Sequence, residues 1–396
     1  MGKVIPLSGN SAIAYAVKMC DVDVVSAYPI TPQTTIVEKI AEFIANGELD
    51  AEMLHVESEH SALSAAVGAS ATGARVFTAT SSQGLALMYE ILFIASGLRL
   101  PVVMALVTRA LSPPINIWCD HSDFMAAADT GWIQVMASTN QEAFDDVIMA
   151  YKLAEDPRVL LPVMTAIDGY IMSHTIEPVE VLEDKDVVLK FAPKNFKRRY
   201  RLDPDNPVTI GPLGSPNWYF EFKRQHYEAM KVAKQVFREV VTEFKKVFGR
   251  EYSELETYML DDADIVLVSM GGLAGTVRAY VDRARKEGIK LGAVRVKLFR
   301  PFPQEEIAKL ISNKKIVGVI DRALAPGAVH GGPLFTEVAT AIYLNKVDVP
   351  LVGFITGLGG RAVTFDHISE VVKHLKKYSE ELRELPKEPI FIGVRE

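Results

Sequence analysis

Cysteine is scarce in this chain of 396 residues, which contains only Cys20 and Cys119. Neither lies in a CxxC pair, whereas an iron–sulfur cluster needs four thiolates or close equivalents. The sequence therefore excludes a cluster held by this polypeptide alone. We expect two buried thiols that pack as small apolar residues, and any metal used for electron transfer must lie on another chain.

Several common motifs are also missing. The sequence has no GxxxxGK[ST], no GxGxxG between a strand and a helix, no HExxH and no GxSxG. These absences remove the key residues of P-loop, dinucleotide-binding, zinc-protease and serine-hydrolase sites. Residues 271–275, GGLAG, follow a predicted strand, but their spacing does not fit a dinucleotide site. A glycine-rich turn is the commoner explanation, and a nucleotide-binding module is the minor alternative.

Positive charge and long apolar runs are limited as well. There are 43 Lys and Arg against 50 Asp and Glu, a net charge of −7, so no overall positive field attracts nucleic acid or anionic lipid. The longest strongly apolar run, residues 265–277, is shorter than the ~20 residues that cross a bilayer. The amino terminus lacks a signal-type apolar core. We expect a soluble, cytoplasmic protein with no nucleic-acid or membrane partner.

The composition, 49% hydrophobic and 23% charged, is that of a globular protein. Short apolar runs alternate with helical patterns, which predicts an α/β protein with two parallel-sheet domains. Strands are predicted at residues 22–27, 53–56, 74–79, 102–107, 133–136, 160–166, 265–270, 291–298, 315–320 and 351–356. The expected division is a first domain at 1–177, an arm with a connecting helix at 178–258, and a second domain at 259–396.

The segment between the two domains has a different composition. Residues 178–216 contain six prolines and include the basic run KNFKRRYR at 194–201, which predicts an extended arm. This run is either a solvated charged surface or an arm lying on a partner subunit. A helix should then begin with Ser215 as N-cap and Pro216 in its first turn, and should end at Gly249 after about 50 Å.

Polar residues follow several predicted strands of the first domain. Thr31, Glu59, the pair Ser82 and Gln83, and Arg109 come after successive strands. Because ligands bind beyond the carboxyl ends of parallel strands, we expect these residues at one rim. An arginine and a threonine suit a small carboxylate, and a glutamate suits a ring nitrogen. The alternative is structural, with Glu59 favoured in a first helical turn and Arg109 in a salt bridge.

Residues 120–123, Asp-His-Ser-Asp, contain metal-ligand types. Such a cluster before an amphipathic run more often starts a helix that an aspartate caps. We therefore predict no metal site on this chain.

At these turns the sequence resembles the alpha subunits of the thiamine-diphosphate-dependent 2-oxoacid:ferredoxin oxidoreductases. The motifs occur in the family's order and cover nearly the whole chain. They are AYPITPQT at 27–34, VESEHSA at 56–62, TATSSQGLALM at 78–88, TRALSPPINIW at 108–118, DTGWIQ at 129–134, DGYIMSHTIEPVE at 168–180, KLFRPFP at 297–303 and DRALAPGAVHGGPLF at 321–335.

The resemblance implies the fold of each domain and an incomplete active site. The first domain would be similar to a pyrimidine-binding half of a thiamine diphosphate site, and the second to the transketolase carboxyl-terminal domain. The diphosphate-and-Mg²⁺ half, marked by GDG, belongs to the family's beta subunit, and this chain has no GDG. Gamma and delta subunits carry the coenzyme A chemistry and some [4Fe-4S] clusters, and ferredoxin accepts the electrons.

The resemblance also assigns roles to individual residues. Glu59, in the family's Ser-Glu pattern, would contact N1′ of the cofactor's aminopyrimidine, and Glu57 could be confused with it. Thr31 and Arg109 would hold the carboxylate of the 2-oxoacid. The surrounding positions are expected to support the site and the cofactor; they are Pro29, Ser82, Gln83 and Asp120.

The resemblance implies oxidation of pyruvate with coenzyme A to acetyl-CoA, CO₂ and reduced ferredoxin. Residues 112–120, SPPINIWCD, are bulkier than in some pyruvate-type members, so a branched-chain 2-oxoacid such as 2-oxoisovalerate is the alternative substrate. A methylene changes discrimination by roughly 1–3 kcal/mol, which the sequence does not resolve. The alternative outside this class is a non-catalytic scaffold that docks redox subunits.

Overall fold

The structure is a computed structural model that describes residues 2–194, 200–380 and 384–395. The strands are β1 (Lys3–Ser8), β2 (Val24–Ser26), β3 (Glu52–Leu54), β4 (Val76–Thr80), β5 (Val103–Thr108), β6 (Ile133–Met136), β7 (Val163–Asp168), β8 (Ile176–Val181), β9 (Leu255–Tyr258), β10 (Ile265–Ser269), β11 (Leu291–Val296), β12 (Leu298–Arg300), β13 (Ile316–Asp321), β14 (Leu351–Ile355) and β15 (Ile390–Phe391). The α-helices are α1 (Gly9–Met19), α2 (Thr34–Ala45), α3 (Glu59–Thr72), α4 (Ser82–Leu87), α5 (Tyr89–Gly97), α6 (Ser122–Ala126), α7 (Asn140–Ala154), α8 (Lys185–Phe191), α9 (Tyr219–Phe248), α10 (Leu273–Lys286), α11 (Gln304–Ile311), α12 (Pro333–Leu344) and α13 (Phe365–Glu380). A short 3-10 helix spans Leu358–Gly360.

The first sheet has the strand order β12-β6-β7-β5-β4-β2-β3. Its strands from β6 to β3 run parallel, and they are buried between helices on both faces. Burial on both faces explains why β5 and β7 are continuous apolar runs in the sequence. The carboxyl ends of β2, β4 and β5 therefore meet at one edge, as predicted.

The second sheet has the order β15-β14-β13-β10-β11-β9, with β9 antiparallel at its edge. Strands β10, β13 and β14 match the predicted ones, the run predicted at 291–298 divides into β11 and β12, and the short parallel strand β15 was not predicted. Strand β12 leaves this sheet and pairs antiparallel with β6 of the first sheet. The α/β class with two parallel-sheet domains is confirmed.

The predicted extended arm was wrong for residues 178–191. Strand β8 pairs antiparallel with β1, and α8 follows it. The register places Pro178 opposite Pro6, where two residues without an amide N–H face each other. Phe191 of α8 is buried and packs edge-on against Phe244 of α9 at 5.5 Å. These apolar contacts fold the segment onto the first domain.

The remainder of the arm, described at 200–216, contains neither helix nor strand. Within the basic run predicted at 194–201, residues 195–199 lie outside the described residues. Lys194 pairs with Asp23 at 2.6 Å, and Arg201 pairs with Asp203 at 2.7 Å. The domain limits 1–177, 178–258 and 259–396 stay a prediction.

The connecting helix α9 begins later than predicted and ends where predicted. Backbone N–H groups of Trp218 and Tyr219 donate to the Ser215 carbonyl in the turn before it, and Gly249 ends it with a φ of 76°. One face of the helix is apolar and is buried between Ala229 and Phe244. Toward the amino terminus Tyr219 is 55% exposed. Within the described ranges no helix is long and apolar enough to cross a membrane.

A buried ionic network joins α7 of the first domain to β11 and the residue after it. The Glu142 carboxylate lies 2.7 Å from Arg295 Nη1 and 3.0 Å from Lys297 Nζ, and Lys297 Nζ lies 2.7 Å from Asp146 Oδ1. Burial opposes ionisation of Glu142, but the charges of Lys297 and Arg295 lower its pKa to about 2. The network therefore links the two domains, and removal of one charge would leave a buried partner charge less compensated.

Both cysteines are free and buried, as the sequence indicated. Burial raises the pKa of Cys20 to about 12, and burial raises the pKa of Cys119 well above its usual value. Neither thiol is therefore a nucleophile or a thiolate ligand at neutral pH.

Candidate active site

The predicted site residues lie in loops after neighbouring strands of the first sheet. Thr31 follows β2, Ser82 follows β4 and Arg109 follows β5, while Glu59 is the first residue of α3 after β3. Because β5, β4, β2 and β3 are adjacent and parallel, these loops share one edge. The loops that carry Thr31, Ser82 and Arg109 are connected by the hydrogen bonds described below.

Arg109 is 7% exposed, and hydrogen bonds fix its side chain from two sides. Its Nη1 donates to the Thr31 carbonyl at 2.8 Å, and its Nε donates to the Asn116 carbonyl at 2.9 Å. Within the described part of the chain, Nη2 has no hydrogen-bond partner. Arg109 therefore keeps an N–H pair for an external acceptor.

The turn that carries Thr31 contains a cis peptide bond between Thr31 and Pro32. Asn10 Nδ2 donates to the Pro32 carbonyl at 2.7 Å, and Gln33 Nε2 donates to the Ala79 carbonyl at 2.9 Å. Pro29 and Thr31 are exposed at the surface of the turn. Hydrogen bonds from Asn10 and Gln33 therefore hold the turn to the first domain, while Thr31 stays exposed to solvent.

Glu59 is 7% exposed at the first turn of α3, where a carboxylate is favoured by the helix dipole. Ser58 caps this helix by accepting a hydrogen bond from the Ser61 N–H at 3.2 Å. Among the described residues, nothing donates a hydrogen bond to the Glu59 carboxylate. Glu57, by contrast, is exposed, and its carboxylate accepts from Ser61 Oγ at 2.5 Å. The two glutamates therefore have different environments.

Gly84 of α4 packs closely against Glu59. A Cβ atom at Gly84 would lie 2.8 Å from Glu59 Oε1 and would overlap Thr80 Oγ1. The Thr80 hydroxyl is buried and lacks a hydrogen-bond partner in the part of the chain that is described. A buried carboxylate and an unpaired buried hydroxyl are polar groups of the kind that an aminopyrimidine ring would pair with.

Ser82 is buried with a φ of 47°, and it connects the β4 loop to the β5 loop. Its hydroxyl donates to the Ala110 carbonyl at 2.6 Å, and the half-buried Gln83 carries an Oε1 at 2.6 Å from the same hydroxyl. The serine side chain therefore contacts the loop of Arg109, and its predicted contact with the cofactor stays a prediction.

Asp123 is a site residue that the sequence analysis did not identify. Its Oδ2 accepts from the backbone N–H of Ser82 at 2.9 Å and of Arg109 at 3.0 Å. Burial raises the pKa of Asp123 to about 8, and these hydrogen bonds oppose the rise. One buried carboxyl group thus holds two loops at the site. A helix does begin in this segment, at Ser122, as expected.

A cluster of metal-ligand types lies where the two domains meet. Cys119, His121 and Asp168 offer ligand atoms within 4.8 Å of one another. However, the Asp168 carboxylate already lies 2.9 Å from His121 Nε2 and 3.3 Å from Arg322 Nη1. The Arg322 guanidinium would repel a cation there, so this cluster is a salt bridge between the domains.

The glycine turn at 271–275 packs against the same cluster. The Gly272 N–H donates to Asp168 Oδ2 at 3.1 Å, and a Cβ at Gly271 would lie 2.7 Å from Asp168 Oδ1. A phosphate bound at this turn would need the Gly272 N–H as a donor. That N–H already donates to the carboxylate of Asp168. This contact favours a packing role for the turn over nucleotide binding.

Two family models cover most of the chain. Residues 15–242 match the family described as pyruvate flavodoxin/ferredoxin oxidoreductase, thiamine diP-bdg. Residues 263–368 match pyruvate:ferredoxin oxidoreductase core domain II.

Curated relatives match over almost the full length. Pyruvate synthase subunit PorA of Methanocaldococcus jannaschii is 48% identical, over 100% of this chain and 99% of that protein. The PorA subunit of Pyrococcus furiosus is 50% identical, over 94% of this chain and 93% of that protein. Ketoisovalerate oxidoreductase subunit VorA of Pyrococcus abyssi is 48% identical, over 94% of each chain.

Solved structures share the fold. A 2-oxoglutarate:ferredoxin oxidoreductase from Magnetococcus marinus aligns with a TM-score of 0.69 and 21% identity, over 94% of this chain and 65% of that chain. A split-gene transketolase aligns with a TM-score of 0.54 and 13% identity, over 93% of this chain and 98% of that chain. With 48% identity over its full length to a PorA subunit and both family models matched, the chain belongs to the pyruvate:ferredoxin oxidoreductase family.

Proposed function

We propose that this chain is the alpha subunit of a thiamine-diphosphate-dependent oxidoreductase that converts pyruvate and coenzyme A to acetyl-CoA and CO₂ and reduces ferredoxin. The observation that carries the proposal is the rim itself, where Arg109 keeps a free N–H pair next to Thr31 and Glu59 is a buried carboxylate that accepts no hydrogen bond from the described residues. The PorA relatives, at 48–50% identity, are named for the same reaction.

The substrate carboxylate binds between Arg109 and Thr31 in this proposal. Arg109 Nη2 donates to a carboxylate oxygen, and the exposed Thr31 hydroxyl donates to the same group. Hydrogen bonds between ions are roughly twice as strong as neutral ones, so Arg109 supplies the larger share of the binding. Because carbonyl oxygens of Thr31 and Asn116 already fix the guanidinium, little side-chain entropy is lost when the substrate binds.

The cofactor's aminopyrimidine lies against Glu59 in this proposal. Bound thiamine diphosphate supplies the electron sink that decarboxylation of a 2-oxoacid needs. Glu59 holds a proton at N1′ of the ring, and the close packing of Gly84 against the Glu59 side chain helps to fix the carboxylate. Pro29, Ser82 and Gln83 shape the two loops around it.

The site is completed by other subunits. We assign the diphosphate and Mg²⁺ to a beta subunit because this chain has no GDG motif. We assign the [4Fe-4S] clusters to partner subunits, because a cluster needs four thiolates or close equivalents and this chain has two cysteines, both buried. The proposal also includes gamma and delta subunits as partners, ferredoxin as the electron acceptor and a cytoplasmic location.

Pyruvate is the proposed substrate, and a branched-chain 2-oxoacid is the second candidate because a VorA subunit is also 48% identical. Ferredoxin-linked oxidation of pyruvate, 2-oxoisovalerate and 2-oxoglutarate by the purified native complex separates the two. The highest kcat/KM should be for pyruvate. A higher value for 2-oxoisovalerate would assign the chain to the branched-chain enzymes.

The variant Glu59→Gln in the whole complex tests the catalytic role. We expect turnover to fall by at least 10²-fold while the subunits still assemble, because loss of a positioned acid–base group costs about 10²–10⁴-fold. The matched control is Glu57→Gln, an exposed glutamate two residues away, which should leave turnover unchanged. Normal turnover of Glu59→Gln would refute the assignment.

The scaffold alternative predicts that Thr31, Glu59 and Arg109 can all be replaced by alanine without loss of activity. Arg109→Ala should instead raise the KM for the 2-oxoacid far more than the KM for coenzyme A. Equal changes in the two KM values would contradict its role in binding the carboxylate.

A further inference from the structure

Asn116 lies between the arginine of the site and the second domain. Its backbone carbonyl accepts the hydrogen bond from Arg109 Nε at 2.9 Å. Its side-chain Nδ2 donates to the carbonyl of Gly359 at 3.1 Å, and its Oδ1 accepts from the Trp118 N–H at 2.8 Å. One residue therefore contacts the guanidinium through its main chain and the second domain through its side chain.

Gly359 belongs to the turn at residues 357–360, which follows β14 of the second sheet. We call it the glycine turn of the second domain; it is distinct from the glycine-rich turn at 271–275 described above. Gly357, Gly359 and Gly360 have φ values of 74°, 59° and 82°, which side chains rarely adopt. A Cβ at Gly359 would lie 2.6 Å from Asn116 Nδ2. Both the backbone conformation and the close approach therefore require glycine at 359.

The glycine turn makes further contacts with the same loop of the first domain. The Gly360 N–H donates to the Cys119 carbonyl at 2.6 Å, and the Gly359 N–H donates to Asp120 Oδ2 at 3.3 Å. A Cβ at Gly360 would overlap Trp118. Together with the Asn116 bond, these contacts fix the loop between residues 116 and 120 from the side of the second domain.

The turn is itself fixed by the salt bridge between the domains. The Gly357 carbonyl accepts from Arg322 Nε at 3.1 Å, and Arg322 Nη1 lies 3.3 Å from the buried Asp168. Asp168 and Arg109 are thus connected through Arg322, the glycine turn and Asn116, by successive hydrogen bonds and the backbone between them. Each bond in the series is formed by a buried or half-buried group, so water competes with it weakly.

We infer that Asn116 is a positioning residue through which the glycine turn of the second domain sets the guanidinium of Arg109 for the substrate carboxylate. The inference rests on the proposed function, because it takes Arg109 to bind the 2-oxoacid. It gives the second domain a direct part in substrate affinity. A guanidinium fork binds a carboxylate with a fixed geometry, so a small displacement of Asn116 is enough to weaken binding.

The test uses the complete complex and steady-state kinetics. Asn116→Ala should raise the KM for the 2-oxoacid about five- to tenfold, the value expected for one hydrogen bond, with kcat and the KM for coenzyme A unchanged. Asn116→Asp keeps the acceptor for Trp118 but loses the donor to Gly359, so it should show the same rise. The matched control is Asn345→Ala, which removes a similar amide-to-carbonyl bond at the end of α12 and should change neither KM.

A double-mutant cycle separates positioning from a general loss of structure. In an Arg109→Ala background, Asn116→Ala should raise the KM for the 2-oxoacid no further, because the group that it positions is gone. Gly359→Ala disturbs the same contact from the side of the second domain and should also raise the KM for the 2-oxoacid. A further five- to tenfold rise in the Arg109→Ala background, or equal rises in both KM values, would overturn the inference.

The kinetics distinguish failure of the positioning role of Asn116 from failure of the proposed carboxylate site. If Arg109→Ala raises the KM for the 2-oxoacid and Asn116→Ala does not, only the positioning role is refuted. If Arg109→Ala leaves that KM unchanged, the carboxylate site of the proposed function is refuted, and the positioning role is refuted with it.

Discussion

The close packing of Gly84 against Glu59 gives a substitution that should weaken cofactor binding while it leaves the fold intact. In Gly84→Ala the new methyl group lies 2.8 Å from Glu59 Oε1 and overlaps Thr80 Oγ1, so the glutamate must turn away. Within α4 the change from glycine to alanine favours the helix by up to ~1 kcal/mol, whereas overpacking costs about 1–3 kcal/mol. The net loss of stability is therefore about 0–3 kcal/mol.

Binding should change more than stability. A hydrogen bond to a charged group contributes about 1.5–3 kcal/mol, so displacement of Glu59 should weaken thiamine diphosphate binding about 10- to 150-fold. The assay is a titration of thiamine diphosphate into the cofactor-depleted complex, followed by pyruvate-dependent reduction of ferredoxin. The dissociation constant and the maximal rate come from the same curve.

The control is Gly68→Ala in α3, the same helix that begins with Glu59. A Cβ at Gly68 meets no atom of the described chain within 4 Å, so this variant should bind the cofactor normally and be slightly more stable. If Gly84→Ala binds thiamine diphosphate and turns over as the unmodified complex does, the ring does not lie beside Glu59.

Three further predictions concern stability and reactivity. Lys297→Met leaves the buried Asp146 without its cationic partner, while Glu142 keeps Arg295, and should destabilise the protein by about 3–5 kcal/mol in urea unfolding. Because the pKa of Glu142 is lowered to about 2 from 4.5, its stabilisation is complete above pH 4.5 and is lost as the pH falls, so Glu142→Gln should unfold with a weaker acid dependence. Burial raises the pKa of Cys20 to about 12 and that of Cys119 further, so iodoacetamide at pH 8 should label neither thiol before unfolding.

Each of these has a contrary outcome. The control for Lys297→Met is Lys315→Met, which removes an exposed pair with Asp264 and should cost about 0–1 kcal/mol. Equal costs for the two lysines would contradict the buried network. An unchanged acid dependence of Glu142→Gln would show that Glu142 is not the group that titrates. Mass-spectrometric detection of label on the folded protein would contradict burial of the thiols.

Most of the strands that the sequence predicted, with the partly exposed β3 as an exception, are buried on both faces. Such strands are continuous apolar runs, and β5, β7 and β10 are of this kind. The missed strands have weaker local signals, since β1 and β8 each contain a proline and are partly exposed. Strand β12 could not be predicted, because its partner β6 lies in the other domain and the pairing is not local.

The site shows a similar division. That Thr31, Glu59 and Arg109 share an edge could be predicted because parallel strands end at one edge, and their roles toward a ligand stay a prediction. The contacts of Asp123 and Asn116 could not be predicted, since they hold the loops through backbone N–H and carbonyl groups that every residue has. The sequence therefore indicated which side chains share the edge and did not indicate the contacts that orient their loops.

The pairing of β12 with β6 has a consequence for expression of the separate halves. A fragment ending near residue 258 would leave the edge of β6 without its antiparallel neighbour, and a fragment beginning there would carry an unpaired β12. Uncovered strand edges pair with other molecules and promote aggregation. Fragments cut in the irregular region at 202–216 would face the same difficulty, so we expect recovery only when both pieces are produced together in one cell.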